Sequence, residues 1–486
     1  MNTALPAHKT KIVATIGPVS ESPEMLARLI RAGLDVARLN LSHGSSAKHA
    51  EVIRRIRDAA RETGRRVAIM ADLPGPKLRL GKIDPEPIQL LPGAHFTLTS
   101  EDIVGDAQRA STSFEQLSRV VKPGNRIFLN DGIVQLVVDR VAGNDVECTV
   151  VVGGELRSRK GLNLPGVDLG ISAFTENDRA CLEFALEHGV DAVSQSFVEC
   201  AADVHAVRAA AAKIGKQPFI IAKIERAAAL AHFDEILAAA DGIMIARGDL
   251  GVEVPIEEIA SIQKQLIAKT NLAGQPVITA TQMLESMVSS RLPTRAEATD
   301  VANAILDGTD CVMLSGESAV GEFPEEAVTM LAKIAAFTEA HRPPRSFSVE
   351  RDFAQPKTTT RARDRMASLV EHALHTVPCD LVLVPTRGGM VARAISRFKP
   401  PVWIIAPSAD CAACQNLAFS YGVYPIDLAE EPDDWREWIA RWVRENGITA
   451  ERVMLVAGPS PRNPKANYRI ELMRLDTENV GRAERD

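Results

Sequence analysis

The 486-residue chain holds only four tryptophans, three tyrosines and seven cysteines, and it carries no excess of positive charge. The cysteines are scattered and odd in number, which fits free thiols in a reducing compartment rather than a disulfide framework. Cys411 and Cys414 form a C-x-x-C, but no second pair or histidine cluster joins them, so they read as part of a helix face. No apolar run approaches membrane-spanning length. The opening "MNTALPAHKTKIVATIGPVS" has no apolar segment long enough for a signal peptide, so a cytoplasmic location is expected. A net charge of −7 argues against a nucleic-acid or anionic-membrane surface. Small anionic substrates need only local positive charge and remain open.

The rest of the composition is that of an ordinary globular protein, 46% apolar and 24% charged. The length is too great for one core and predicts two or three domains. Eight apolar, β-rich runs recur: "KIVATIG" (11–17), "DVARLN" (35–40), "VAIMAD" (67–72), "DAVSQSF" (191–197), "FIIAKIE" (219–225), "GIMIARGD" (242–249), "PVITATQ" (276–282) and "CVMLSGE" (311–317). Continuous apolar runs belong to strands buried on both faces. Helical patterns lie between most of them, and eight such βα units predict a TIM (β/α)8 barrel. Residues 73–165 interrupt the third and fourth units with strand-like segments and read as an inserted small β-barrel lid. The polar, proline-bearing stretch "HRPPRSFSVERDFAQPKTTT" reads as a linker. All Trp and Tyr fall beyond residue 400, in a region that alternates helix and strand. The expected domains are thus barrel 1–72, lid 73–165, barrel 166–341 and a C-terminal α/β domain 342–486. Trp435, Trp438 and Trp442 share a helical face that suits a core or subunit interface better than a ligand site.

Barrel chemistry sits at the C-terminal ends of strands. Those ends carry Arg38, Asn40, Ser42 and His43, then Asp72, Lys223 with Glu225, Arg247 with Asp249, Thr281, and Ser315 with Glu317. One polar residue at a strand end merely caps or pairs. A ring of charges from several strands points instead to a site, because charges are rarely buried unless paired or metal-bound. Glu225 and Asp249, expected on adjacent strands, could share a hard cation such as magnesium. Lys223, two residues before Glu225, points the same way. Arg38 adds a planar donor suited to phosphate. Gly248 and Gly251 precede an expected helix and would let backbone N–H groups approach an anion. A cation, a lysine and an arginine in one pocket are equipment for phosphoryl transfer.

The motifs "KIVATIGPVS", "ARLNLSHG", "AKIER", "ARGDLGVE", "ITATQMLESM" and "MLSGESAVGEFP" resemble, in order and spacing, those of the pyruvate kinase family in its bacterial form. The resemblance runs from about residue 9 to the end. It implies phosphoryl transfer from phosphoenolpyruvate to ADP, giving pyruvate and ATP, in a cytoplasmic homotetramer. It assigns Lys223 to the phosphoryl group in flight, and Glu225 and Asp249 to magnesium, with manganese as an alternative. The Gly248–Asp249 amides and Thr281 would take the substrate carboxylate. Thr281 and Ser315 would lie on the proton path. Arg38, Asn40, His43, Arg79, Lys160 and Asp131 would face nucleotide or transferred phosphate.

The stretch "ADLPGPKLRLG" departs from the potassium-dependent members, in which this segment looks like "DTKGPEIR". There the counterparts of Asn40, Ser42 and Asp72 surround the monovalent cation. Here Leu73 replaces the Thr, and Lys77 replaces a Glu, so its ammonium is expected to stand in for potassium. In the C-terminal domain "LVPTRGGMVARAISRFKP" places Thr386, Arg387, Gly388 and Gly389 between strand and helix, a natural phosphate cradle. Arg462, Lys465 and Asn467 would close over it. The family more often has a Ser at Gly388 or Gly389, so the effector is left as a sugar monophosphate or a nucleotide, with dimer packing as the plain alternative. Two rival readings remain: a magnesium-dependent barrel lyase or aldolase, and a metabolite sensor without turnover.

Overall fold

In the computed structural model, residues 5–342, 362–460, 462 and 464–475 are described. Most of the expected linker, 343–361, lies outside them. Eight parallel strands close into a barrel: β1 (Lys11–Thr15), β2 (Leu34–Asn40), β3 (Ala68–Leu73), β4 (Ala192–Gln195), β5 (Phe219–Ile224), β6 (Gly242–Ala246), β7 (Val277–Ala280) and β8 (Cys311–Leu314). They are neighbours in sequence order around the ring, with β1 also beside β8. Every residue of β1, β3, β5, β6, β7 and β8 is buried, which explains the unbroken apolar runs. In register, Lys223 of β5 lies opposite Met244 of β6.

The expected strand 242–249 ends at Ala246. Residues 247–249 belong to a short helix, Arg247–Glu253, that starts directly after β6. Asp249 therefore stands in a first helical turn, not on a strand adjacent to that of Glu225, and Gly248 and Gly251 lie inside that helix rather than before it.

The described chain divides into two compact units. One comprises Asp72–Leu186 and Val193–Gln265. It contains a six-stranded sheet (Leu162–Asn163, Arg126–Leu129, Val134–Ala142, Asp145–Val152, His95–Thr99, Arg109–Ser111, in that spatial order) and a two-stranded one. These share an aliphatic core around Phe96, Leu98, Ile127, Leu136 and Val146. Gly143, at φ 65°, makes the tight turn joining Val134–Ala142 to Asp145–Val152.

The other unit comprises the remaining residues and ends in a five-stranded sheet. Its strands β9 (Leu381–Leu383), β10 (Trp403–Ser408), β11 (Val423–Asp427) and β12 (Arg452–Ala457) are parallel, while β13 (Arg469–Arg474) runs antiparallel at the edge beside β12. Helix Trp435–Glu445 packs the half-buried Trp435, Trp438 and Trp442 against the core on one face of this sheet. Cys411 and Cys414 lie on helix Cys411–Leu417, and all seven cysteines are free. Among the described residues no helix is long and apolar enough to cross a membrane.

Candidate active site

The end of β5 gathers charge out of water. Lys223 is 8% exposed. Its Nζ lies 2.8 Å from Glu225 Oε1 and 3.2 Å from Asp72 Oδ1, and donates to Ser196 Oγ at 2.7 Å. Asp72 also accepts from Ser194 Oγ at 2.8 Å. The second oxygen of Glu225 accepts the Phe197 N–H at 2.8 Å. An ammonium between two buried carboxylates is held in one place, which is the condition for useful electrostatics. Burial pushes the Glu225 carboxyl above its ordinary value; Lys223 opposes this, and the nearby carboxylates of Asp249 and Asp72 add to it. Two mutually repelling carboxylates, Glu225 and Asp249, suit one hard divalent cation. No group of three or more His, Cys, Asp or Glu among the described residues could by itself hold a metal. A shell of two carboxylates completed by substrate oxygens and water is the habit of magnesium.

The "LPGP" turn is explained by the same cluster. Gly75 has φ 64° and donates its N–H to Asp178 Oδ1 at 2.8 Å. A Cβ there would come within 2.7 Å of the Phe197 ring and 3.0 Å of Ser196 Cβ. Only glycine meets both demands. Leu73 is buried, and its carbonyl accepts from Ser196 Oγ at 2.7 Å. Lys77, just beyond, does not pair with Asp72. Its Nζ lies 3.7 Å from Asp249 Oδ1, both side chains being partly exposed, while Asp72 is already engaged by Lys223 and Ser194. On the lid arms, Arg79 bridges Gly161, and Leu80 N–H donates to the Lys160 carbonyl at 2.9 Å. Arg79 and Lys160 thus lie on paired segments. Asp131 is exposed, in a left-handed turn at φ 55°.

In the other unit, Arg38 of β2 donates to Thr15 Oγ1 at 2.8 Å, and Thr15 donates to the Leu314 carbonyl at 2.9 Å. Asn40 Oδ1 accepts the Ser42 N–H at 3.1 Å, and Ser42 and His43 are exposed. Thr281, directly after β7, has φ 68°, and Gln282 follows at φ 55°. A β-branched residue in the left-handed region is strained, and such strain marks positions that the surroundings over-determine. Buried Glu317 accepts from the Leu284 N–H at 3.1 Å and from the Ser315 N–H at 2.7 Å, tying the turns after β7 and β8 together. The C-terminal loop is different. Thr386 Oγ1 accepts the Gly389 N–H at 2.9 Å, and Arg387 and Gly388 are exposed. Gly389 has φ 76° and sits against Leu417, 2.9 Å from where a Cβ would stand. Arg462 pairs with Asp433, and Lys465 and Asn467 are exposed.

Sequence reasoning missed Ser194, Ser196, Arg226 and Glu253. The serines carried a signal: they are polar, two apart, in an otherwise apolar strand, and so face one side.

Two family models match the chain: "Pyruvate kinase, barrel domain" over residues 7–328 and "Pyruvate kinase, alpha/beta domain" over 364–468. A pyruvate kinase of Thermococcus litoralis is 52% identical over 428 residues, 88% of this chain and 90% of the relative. One from Geobacillus stearothermophilus is 43% identical, over 86% of this chain and 71% of that one. A crystal structure of a pyruvate kinase from Cryptosporidium parvum superposes with a TM-score of 0.89 at 34% identity, covering 97% of each chain. With a closed barrel, a strand-end charge cluster and these matches in agreement, the chain belongs to the pyruvate kinase family.

Proposed function

We propose that the chain transfers the phosphoryl group of phosphoenolpyruvate to ADP and protonates the resulting enolpyruvate, giving pyruvate and ATP. The observation that carries this reading is the buried ammonium of Lys223 between Glu225 and Asp72. Phosphoryl transfer asks little covalent chemistry of a protein and much positioned positive charge. Lys223 neutralises charge on the phosphoryl group as it leaves its oxygen, and Arg38 binds that group through a planar donor pair. Glu225 and Asp249 hold magnesium, which supplies charge neutralisation and orientation when bound. The Gly248 and Asp249 amides and the Thr281 hydroxyl take the substrate carboxylate. Thr281 and Ser315, through water, lie on the route of the proton to the enol carbon. Asn40, His43, Arg79, Lys160 and Asp131 face the nucleotide, and the lid excludes water so that ADP rather than water receives the group.

Pyruvate formation from phosphoenolpyruvate, with ADP and magnesium each included or omitted, tests the reading. Turnover requires both. Product without ADP would favour the lyase reading, and no turnover at all would favour the sensor.

The same reading makes the enzyme potassium-independent. Lys77 brings a positive charge to within 3.7 Å of the Asp249 carboxylate, in a hinge where potassium-dependent relatives carry a Glu, and this charge is proposed to replace that of the free cation. Lys77→Glu is expected to lower activity in potassium-free buffer by about tenfold or more, since it replaces an attraction with a like charge, and potassium restores it. Unchanged potassium-free activity in that variant refutes the idea. The loop Thr386–Gly389, with Arg462, Lys465 and Asn467, binds a phosphorylated effector, a sugar monophosphate or nucleotide, in a cytoplasmic homotetramer.

A further inference from the structure

Arg226 follows Glu225 at the end of β5, and its role is not accounted for by charge neutralisation at the substrate. Its side chain is only 8% exposed and reaches three separate elements. Nη2 donates to the Val167 carbonyl at 3.0 Å and lies 3.4 Å from Glu199 Oε1. Nε lies 3.4 Å from Glu253 Oε2. Val167 belongs to the arm by which the chain returns from the lid, just past Leu162–Asn163. Glu253 is the last residue of helix Arg247–Glu253, with a side chain 1% exposed.

Two spacings give this contact meaning. Glu253 is four residues after Asp249, so both project from one face of a single helical turn. Arg226 is one residue after Glu225. The pair Arg226–Glu253 therefore joins the same two segments that carry Glu225 and Asp249. The helix is gripped from both lid arms: Lys77 of the outgoing arm faces Asp249, and the returning arm reaches Glu253 through Arg226, which holds the Val167 carbonyl, and through the Asn163 side chain. The two arms are themselves bonded, Leu162 N–H to the Leu78 carbonyl at 3.0 Å. The ionic contact is loose: Arg226 Nε is buried without a hydrogen-bond partner, whereas the Glu253 carboxylate also takes the Ala227 N–H, at 3.5 Å, and the Asn163 side chain. A buried donor without a partner gains from any movement that shortens the contact.

We propose that Arg226 is a positioning residue that couples the lid to the metal site, holding the returning lid arm with Nη2 and, through Glu253, the helix that presents Gly248 and Asp249. This inference rests on the assignment of Glu225 and Asp249 to the metal. Lid movement then shifts the Asp249 carboxylate, and metal and nucleotide strengthen each other's binding. A lysine cannot do this, because a point charge lacks the fork that serves two acceptors at once.

The test is manganese binding to the full-length protein, followed by water-proton relaxation, with and without ADP, in wild type, Arg226→Lys, Arg226→Met and Glu253→Gln. Removing a group that orients metal ligands typically weakens binding 10- to 100-fold. Arg226→Met and Glu253→Gln are expected to raise the manganese dissociation constant about tenfold and to abolish its tightening by ADP. Arg226→Lys keeps the charge and the fold but loses the tightening by ADP. The double variant Arg226→Met/Glu253→Gln is expected to be no worse than either single one, because the pair acts as a unit. A lower melting temperature with unchanged manganese binding and unchanged ADP response, in folded Arg226→Lys as well as Glu253→Gln, overturns the proposal. Failure of wild type to bind manganese or turn over phosphoenolpyruvate would instead overturn the assignment of the metal site.

Discussion

The turns after β5 and after β9 are both strand-to-helix junctions rich in charge or glycine, yet they are built on opposite plans. At the end of β5, Lys223, Glu225 and Arg226 are all buried, and each is held by residues from other elements: Asp72, Ser196, Phe197, Val167 and Glu253. After β9, the loop Thr386–Gly389 is held through its main-chain groups, with the Thr386 N–H donating to the Pro407 carbonyl at 3.0 Å and Ser408 Oγ donating to the Arg387 carbonyl at 3.3 Å. Thr386 binds the Gly389 N–H, Arg393 binds the Gly388 carbonyl at 2.8 Å, and the Arg387 side chain is left in water. Burying charge is costly and tolerable only when every partner is in place. Around Lys223 those partners are in place, so that charge is fixed before any ligand arrives, as electrostatic catalysis requires. The second junction leaves the Arg387 side chain exposed, as the proposed binding of a phosphorylated effector would require.

The comparison can be broken at either junction. Lys223→Met should remove the fixed charge and lower kcat by about 10^3-fold or more, measured as pyruvate formation at saturating substrate; a loss under tenfold would make the cluster structural. Thr281→Gly should release the left-handed strain at that position, worth roughly 1–3 kcal/mol, partly offset by the entropy of glycine. The expected result is a melting temperature raised by a few degrees together with a kcat reduced by about 10^2-fold from the lost hydroxyl. Arg387→Ala tests the second junction. Activation by a sugar monophosphate, expected to be worth about 5- to 150-fold in affinity, should vanish, and retained activation would assign that loop to packing alone. The smallest effect concerns reactivity. Burial pushes the Cys148 and Cys414 thiols up to about 12 and Cys311 well above its ordinary value, so the native protein at pH 8 should react slowly with thiol reagents at these three and quickly at exposed Cys411.

Much of the barrel was legible because strands buried on both faces must be apolar throughout, and eight such runs leave few alternatives. The error at 247–249 has a physical source. "GIMIARGD" continues an apolar run into a helix of only two turns, too short for a helical period to declare itself. Lys77 shows a second limit. Its position in the hinge was readable, but its partner was not, since Asp249 lies 172 positions away and only the folded chain brings the two together. Arg226 lies within "AKIER", yet nothing in one sequence says which of the three charges there, Lys223, Glu225 or Arg226, faces substrate and which faces protein. The left-handed backbone of Thr281 gave no sign at all, as its residue type argues against it.

The most direct test of the account follows the phosphorus atom. With wild-type protein, phosphoenolpyruvate, ADP and magnesium in potassium-free buffer, 31P NMR should show the phosphoenolpyruvate signal replaced one for one by the γ-phosphate of ATP, with no inorganic phosphate. The same mixture with Lys223→Met should stay unchanged over that time. Inorganic phosphate in place of ATP, or equal rates for the two proteins, would contradict the claim that the buried charges at the end of β5 direct the phosphoryl group to ADP.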